Sequence, residues 1–164
     1  MSIWETLLRL RFAQLLHLMF IALRYPLFVY PTLKATTVSY QTAKKYFPKT
    51  HSKSGKGNAF RHALWNMLIC FECIKWKGDK ERVLAWARLI TEEHERLYPN
   101  EALSREMDLH NNRIGRELFE AADFENLETI IRDLQMKLES VKIIKVPGDS
   151  KYYEHELVII NDEG

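Results

Sequence analysis

Cysteine, glycine and proline are all scarce in this sequence, and these shortages limit what the chain can be. Only two cysteines, six glycines and five prolines occur among its 164 residues. Two cysteines cannot complete a four-cysteine zinc site, and without a secretory pattern they favour a reducing compartment. Cys70 and Cys73 have the C-x-x-C spacing but lie within a helical pattern, so we interpret them as buried free thiols. The small number of helix breakers favours long helices.

The sequence also lacks a marked excess of one charge and a long run of basic residues. Its formal net charge is +2, which gives no reason to expect a nucleic-acid partner. Hydrophobic residues make up 46% and charged residues 28% of the chain, proportions that exclude a disordered chain and a polytopic membrane protein. A length of 164 residues fits one domain with a core of its own.

No apolar run in the chain reaches the length of a typical transmembrane helix without interruption. A spanning helix needs about 20 apolar residues. Residues 12–30 are largely apolar but are interrupted by Gln14, His17, Arg24 and Pro26. We therefore expect residues 1–33 to form an amphipathic helical arm in a membrane interface. Four basic residues would face anionic headgroups, namely Arg9, Arg11, Arg24 and Lys34. A core helix of a soluble fold and a transmembrane anchor are the two alternatives.

The chain after the arm has the periodicity of helices. Pro26 and Pro31 are expected to end the arm. Helices are then predicted over residues 34–47, 58–76, 81–97 and 101–138. Asn58 is the expected N-cap of the second of these, and a break is expected near Asp123 in the last.

The final segment changes to the periodicity of strands. Two short β-branched and aromatic runs flank Pro147, Gly148 and Asp149, which predicts a β-hairpin within residues 141–164. The predicted fold is therefore mainly α. It is a single helical domain over residues 34–140, with an apolar N-terminal helical arm and a small C-terminal β-hairpin.

Three of the predicted helices carry polar side chains on faces that are otherwise apolar. In the first, His62 and Asn66 share a face because they are four residues apart. In the second, His94 continues an apolar face. In the third, one face carries Asp108, Asn111, Asn112 and Gly115. Asparagine and aspartate are unfavourable inside helices because they compete for backbone hydrogen bonds, and such local conflicts tend to fall at functional sites.

Packing of these three helices could bring histidine and carboxylate groups together, and two chemistries use such a set. In one, a divalent metal ion is bound by His62, His94 and Asp108, with asparagines around the ligands. In the other, a histidine is a general base oriented by an aspartate. The predicted catalytic residues are His62, His94, Asp108 and His110. The predicted substrate-binding residues are Arg61, Asn66, Asn111, Asn112 and Arg116. The alternative is a polar network that only ties the helices together.

Motifs within residues 58–116 resemble an uncharacterised bacterial domain family. They read R-H-A-x-W-N, then H-E, then M-D-L-H-N-N-x-x-G-R. The resemblance implies a domain that occurs in small stand-alone proteins and at the C-termini of larger secreted or toxin-like proteins, and it implies no particular activity. The motif positions in this chain are Arg61, His62, Asn66, His94, Glu95, Asp108, His110, Asn111, Asn112, Gly115 and Arg116.

These observations together predict a hydrolase with a His/Asp/Asn site. The expected substrate is an anionic small molecule, a phosphoester or a lipid-like compound, near a membrane surface. The expected location is cytoplasmic and peripheral to the inner membrane, and a divalent metal ion is the cofactor that the residue types indicate. A non-catalytic, membrane-associated helical binding module and a toxin-like effector domain are the alternatives.

Overall fold

The computed structural model describes residues 12–50, 54–77, 79–98 and 100–161, and this part of the chain is mainly α-helical. Its helices are α1 (Phe12–Arg24), α2 (Pro26–Tyr46), α3 (Lys56–Lys77), α4 (Lys80–Leu97), α5 (Ala102–Ala121) and α6 (Leu127–Glu139). Two short strands follow, β1 (Lys142–Ile143) and β2 (Val158–Ile159), with a 3₁₀ helix between them at Asp149–Tyr152. The predicted fold class, a mainly α single domain with two short strands at the C-terminus, is confirmed.

Helix α3 lies at the centre of the domain. It contacts α2, α4, α5 and α6. Its sequence is apolar around most of its circumference, the pattern of a helix that is buried on several sides, and Phe60, Leu64 and Met67 are fully buried. Cys70 and Cys73 in its second half are buried free thiols, as predicted.

Side-chain caps explain where two of the helices begin. Asp79 Oδ1 accepts a 2.7 Å hydrogen bond from the backbone of Arg82 at the start of α4. Asn126 caps α6 by accepting from the backbone N–H groups of Glu128 and Thr129. The break predicted near Asp123 is confirmed, because α5 ends and α6 begins on either side of it.

Pro31 does not end a helix, contrary to the prediction. It lies inside α2, which runs through the boundary predicted between residues 33 and 34. Proline removes the N–H group that would bond to the carbonyl of Leu27. The helix continues because its buried face is held against α3 and α4, where Thr32 Oγ1 accepts a 2.9 Å hydrogen bond from Trp86 Nε1.

Asn58 is not an N-cap, which corrects a second prediction. Helix α3 begins at Lys56, two residues earlier. The carbonyl of Gly55 accepts from the backbone N–H groups of Asn58 and Ala59, so the first turn closes upstream of the asparagine. Asn58 is thereby placed inside the helix, where its side-chain oxygen lies 3.5 Å from Arg61.

The C-terminal strands are parallel, so they do not form the predicted β-hairpin. Lys142 pairs with Val158 and Ile143 with Ile159. Residues 144–157 supply the crossover of about a dozen residues that a parallel pair needs. A tight turn does form, with Asp149 donating its backbone N–H to the carbonyl of Val146 at 3.2 Å, but a 3₁₀ helix follows it instead of a returning strand. Glu106 of α5 accepts from the backbone of Gly148 and Ser150 and ties this segment to the helical domain.

In the described part of the chain, the predicted membrane arm corresponds to α1 and the first turns of α2. Within the described residues, no single helix is both long and apolar enough to cross a membrane, whereas α1 and α2 together, bent by 115° at their junction, meet that test of length and composition. Residues 1–11, with Arg9 and Arg11, lie outside the described residues.

Candidate functional site

Three helices each place one titratable side chain at a common point in the core. His62 comes from α3, Glu95 from α4 and Asp108 from α5, and each residue is only 2–3% exposed. One potential ligand atom from each lies within 4.8 Å of the other two. His62 Nε2 is 3.3 Å from Asp108 Oδ1. We call this group of His62, Glu95 and Asp108 the buried centre.

The close approach of α3 and α5 positions two of these side chains. A Cβ atom at Gly115 would lie 2.3 Å from the carbonyl oxygen of Ala63, a distance that no real contact allows. Glycine is therefore required for the two helices to come this close. Ala63 follows His62 directly, and Gly115 is two turns after Asp108 on the same face, so this contact brings the imidazole to the carboxylate.

A chain of amide hydrogen bonds leads from the edge of the domain to the buried centre. Arg116 donates to Asn66 Oδ1 at 2.8 Å, and Thr91 Oγ1 donates to the same oxygen at 3.3 Å. The amide nitrogen of Asn66 must then be on the other side, where it donates to Asn112 Oδ1 at 2.8 Å and to the carbonyl of His62 at 3.1 Å. These four bonds determine the orientation of both amides.

That orientation assigns the tautomer of His62. Asn112 Oδ1 can only accept, and it lies 3.2 Å from His62 Nδ1, so Nδ1 carries the proton. The other nitrogen, Nε2, then has a free lone pair in the neutral ring, and Arg61 donates to it at 2.8 Å. The same lone pair faces Asp108 Oδ1. Two hydrogen-bond acceptors, His62 Nε2 and Asp108 Oδ1, therefore lie 3.3 Å apart in the buried centre.

Several buried polar atoms of this site have no hydrogen-bond partner within the described part of the chain. They are Glu95 Oε1, Asp108 Oδ1 and Asn112 Nδ2. Leaving a buried polar group unpaired costs about 1–3 kcal/mol, and more for a charged group. Two of the three atoms are carboxylate oxygens of the buried centre. A cation bound between Glu95, Asp108 and His62 Nε2 would interact with both unpaired carboxylate oxygens and with the lone pair of the imidazole.

The electrostatics of the buried centre follow from its burial. Desolvation raises the pKa of Glu95 to about 7 and that of Asp108 to about 6, while the guanidinium of Arg61 acts in the opposite direction on both. Desolvation, with Arg61 second, lowers the pKa of His62 well below its usual value. The imidazole is therefore neutral and able to act as a ligand through Nε2.

The other two predicted catalytic residues, His94 and His110, contact residues outside the buried centre. His94 is half-buried and contacts the rings of Trp65 and Tyr98, with centroids 5.2 Å and 5.1 Å away. Burial lowers the pKa of His94 to about 4. His110 Nε2 lies 2.8 Å from the carbonyl oxygen of Glu156, on the side of the C-terminal segment.

Asn111 and Asn112 are neighbours with different partners. Asn111 donates to the carbonyl of Val158 at 2.8 Å and accepts from its backbone N–H at 2.9 Å, so it attaches β2 to α5. Asn112 instead contacts His62 and Asn66. The structure thus brings four of the five predicted substrate-binding residues around the buried centre, namely Arg61, Asn66, Asn112 and Arg116.

Glu95 was predicted only as a motif position of the family resemblance, without a site role, and Thr91 was not predicted, although a signal for both exists. Val83, Ala87, Thr91 and Glu95 follow each other at intervals of four residues, and all four are buried. This spacing marks one face of α4. The prediction instead selected His94, because His94 lies on the same apolar face of the helix as Ile90. Continuing the four-residue spacing from Val83 along its own face of α4 leads to Glu95.

A groove of about 960 Å³ lies beside the buried centre, between α4 and α5. Thr91, Asn112 and Arg116 line this groove and also belong to the amide chain, so they connect the groove to His62. The wall of the groove carries both charges, with basic residues Arg88, Arg105, Arg113, Arg116 and Lys151 and acidic residues Glu92, Glu106, Glu117 and Glu120. Two of these cations are already paired within the wall, Arg88 with Glu92 and Arg113 with Glu117.

Comparison with known proteins identifies a family for the chain. No curated protein and no solved structure matches it. One family model matches residues 19–142, a span that contains all of α2 to α6 and every residue of the buried centre. The chain belongs to the family described as Domain of unknown function (DUF6973).

Proposed function

We propose that this protein is a metal-dependent hydrolase whose buried centre holds a divalent cation. The observation that supports the proposal is the convergence of His62 Nε2 with the carboxylates of Glu95 and Asp108, with unpaired oxygens on both carboxylates. A core built only for stability would place apolar side chains here, because burying carboxylate oxygens that lack a hydrogen-bond partner is unfavourable even beside the guanidinium of Arg61. A cation turns this unfavourable arrangement into a favourable one.

The donor set indicates the class of metal. One imidazole nitrogen and two carboxylates suit a first-row transition ion such as Zn²⁺ or Mn²⁺, whereas Ca²⁺ and Mg²⁺ prefer oxygen ligands alone. Such an ion acts as a Lewis acid and activates a bound water molecule. Arg61 donates to the same Nε2 lone pair that the ion would use. Its long side chain would turn toward the carboxylates or toward an anionic substrate.

The substrate class follows from the surroundings of the centre. Arg61 lies on one side, and Arg116 lies where the amide chain meets the groove. Guanidinium groups recognise phosphate and carboxylate with paired hydrogen bonds. We therefore propose an anionic substrate of the phosphoester class. Asn112 would position both the imidazole and the incoming group.

The test combines metal binding with hydrolysis. The metal-free protein is titrated with Zn²⁺ and Mn²⁺, and hydrolysis of bis(4-nitrophenyl) phosphate is followed at each metal concentration. We expect one bound ion per chain and hydrolysis that requires it. Glu95→Gln and Asp108→Asn should each lose both properties. The matched controls are Glu93→Gln on α4 and Asp133→Asn on α6, which remove the same charges outside the centre and should retain both.

A non-catalytic binding module is the second candidate. The observation in its favour is the closure of the buried centre, since His62, Glu95 and Asp108 are almost inaccessible. A structural metal site is closed, while a catalytic one keeps an open position. Stoichiometric metal binding without hydrolysis of any anionic ester would support this candidate. Failure to bind metal would contradict both candidates.

A further inference from the structure

The N-terminal helices expose apolar side chains to solvent on both sides of the 115° bend where α1 meets α2. Helix α1 and the first turns of α2 expose large apolar side chains at helical spacing, namely Leu16, Met19, Phe20, Leu23, Leu27 and Tyr30. Phe20 is 63% and Leu23 72% exposed. Trp76 at the end of α3 extends the same surface, because its ring lies 5.5 Å from that of Tyr30. We call these residues the apolar face. A concentration of exposed large apolar side chains is typical of an interaction site.

Contacts on the opposite side of α1 determine its orientation. His17 lies 3.2 Å from Glu93 of α4, and Ile21, one turn later on the same side, is buried in the core. Ile21 points inward while His17 stays partly exposed at the edge of the contact, so the side of the helix opposite to Ile21 faces solvent. The apolar face is therefore a consequence of how α1 packs on the domain.

Two arginines flank a pocket where α1 meets α2. The pocket has a volume of about 480 Å³ and is lined by Arg24, Tyr25, Arg82 and Trp86 among others. Arg24 lies over the ring of Tyr25 and Arg82 over that of Phe28. Neither arginine forms an ion pair with a carboxylate among the described residues.

Trp86, which lines this pocket, is held in place by two contacts. The ring of Trp86 lies 5.1 Å from that of Tyr25, and its Nε1 donates to Thr32 Oγ1 at 2.9 Å. Trp86 is almost completely buried. Two guanidinium groups beside these aromatic rings could bind a phosphate group through paired hydrogen bonds.

We propose that the apolar face docks the protein on an anionic phospholipid bilayer, with Arg24 and Arg82 binding a headgroup phosphate. The apolar side chains would enter the boundary between headgroups and acyl chains, where amphipathic helices bind. Arg24 directly follows Leu23 of the apolar face, and Arg82 lines the same pocket as Arg24, so both would be available to the phosphates of such a bilayer. A second copy of the chain fits less well, because it would bring two more arginines of the same charge to this edge. The proposal does not depend on hydrolysis or on a metal ion.

The experiment uses the full chain and large unilamellar vesicles. Sedimentation is measured with phosphatidylcholine alone and with a mixture of phosphatidylcholine and phosphatidylglycerol, at low and high salt. We expect binding to the mixed vesicles that weakens as salt screens the headgroups. Arg24→Gln/Arg82→Gln and Phe20→Ser/Leu23→Ser should each lower the partition coefficient on the order of tenfold.

Matched controls separate docking from general effects. Met136→Ser and Arg132→Gln remove an exposed apolar and an exposed basic side chain from α6, outside the apolar face, and should leave the partition coefficient unchanged. Thermal unfolding of each variant checks its fold. In the wild type, brominated lipids should quench tryptophan emission, and Trp76→Phe should reduce that quenching, which tests the docking without altering the arginines.

Three results would overturn the proposal. The first is an absence of binding to the mixed vesicles. The second is an equal loss of binding in the α6 controls. The third is self-association through the apolar face, seen by sedimentation velocity and abolished by Phe20→Ser/Leu23→Ser, in a chain that does not bind vesicles.

Discussion

Asn112 Oδ1 lies 3.2 Å from His62 Nδ1, and this contact decides which nitrogen of the imidazole faces the two carboxylates. The amide of Asn112 is held in turn by Asn66, whose oxygen is held by Arg116. A hydrogen-bond acceptor at one ring nitrogen fixes the orientation of a histidine and raises the basicity of the other nitrogen, which makes that nitrogen a better metal ligand. Asn112 is therefore a positioning residue for the buried centre.

The first prediction concerns that positioning role. Asn112→Leu keeps a side chain of similar volume but removes the acceptor for His62 Nδ1. We expect the affinity for Zn²⁺ or Mn²⁺, measured by isothermal titration calorimetry, to fall about 10–100-fold. Asn112→Asp keeps an acceptor and should retain much of the affinity. Equal affinities for wild type and Asn112→Leu would show that the amide does not position the ligand.

The second prediction separates Asn111 from its neighbour. Asn111→Ala removes both hydrogen bonds to the backbone of Val158, so β2 loses its attachment to α5. We expect a loss of about 1–3 kcal/mol in the free energy of unfolding, measured with urea, and an unchanged metal affinity. A large drop in metal affinity would mean that Asn111 belongs to the site and not to the attachment of the strand.

The third prediction concerns the contact between α3 and α5. Gly115→Ala places a methyl group within 2.3 Å of the carbonyl oxygen of Ala63, so the helices must separate. We expect a destabilisation of about 1–3 kcal/mol, and a fall in Tm of about 2–4 °C for each kcal/mol. Metal affinity should fall as well, because the separation moves His62 away from Asp108. Glu120→Ala, an exposed position on the same helix, is the control and should leave both measurements unchanged.

The fourth prediction concerns pH. Burial raises the pKa of Glu95 from 4.5 to about 7, so between these values the folded chain holds a proton that the unfolded chain has lost. The stability that this group contributes is therefore lost as pH rises through that window. His62 and His94, whose pKa values are lowered, act in the opposite direction, so the comparison must be with a variant.

Glu95→Gln isolates this effect in metal-free protein. We expect the variant to gain stability relative to the wild type as pH rises from 5 to 8, by about 2 kcal/mol, in urea unfolding at a series of pH values. A difference that stays constant across this range would mean that Glu95 titrates normally and is not buried as described.

Helices α3 to α6 could be predicted from the sequence because their signals are local, whereas the start of α2 at Pro26 was not predicted. Caps such as Asp79 and the apolar periodicity around Leu134 lie within a few residues of the elements they specify. The pairing of the strands could not be predicted this way. It depends on Glu106 and Asn111, two residues of α5 that contact the C-terminal segment more than 40 positions later in the chain.

The candidate site could be predicted only in part for a related reason. His62 and Asp108 are unusual residues on buried helical faces, and the sequence alone singles them out. The choice between His94 and Glu95 depends on the rotation of α4, since adjacent residues point about 100° apart. That rotation is set by tertiary contacts such as the hydrogen bond from Thr91 to Asn66.

The most direct test of the buried centre is a crystal structure of the protein with Zn²⁺ or Mn²⁺, with anomalous diffraction recorded at the metal edge. A single strong peak is predicted about 2.0–2.2 Å from His62 Nε2 and from one carboxylate oxygen each of Glu95 and Asp108. His62 Nδ1 should remain bonded to Asn112. A peak at other residues, or no peak at saturating metal, would contradict the central claim and leave the three side chains as a structural network.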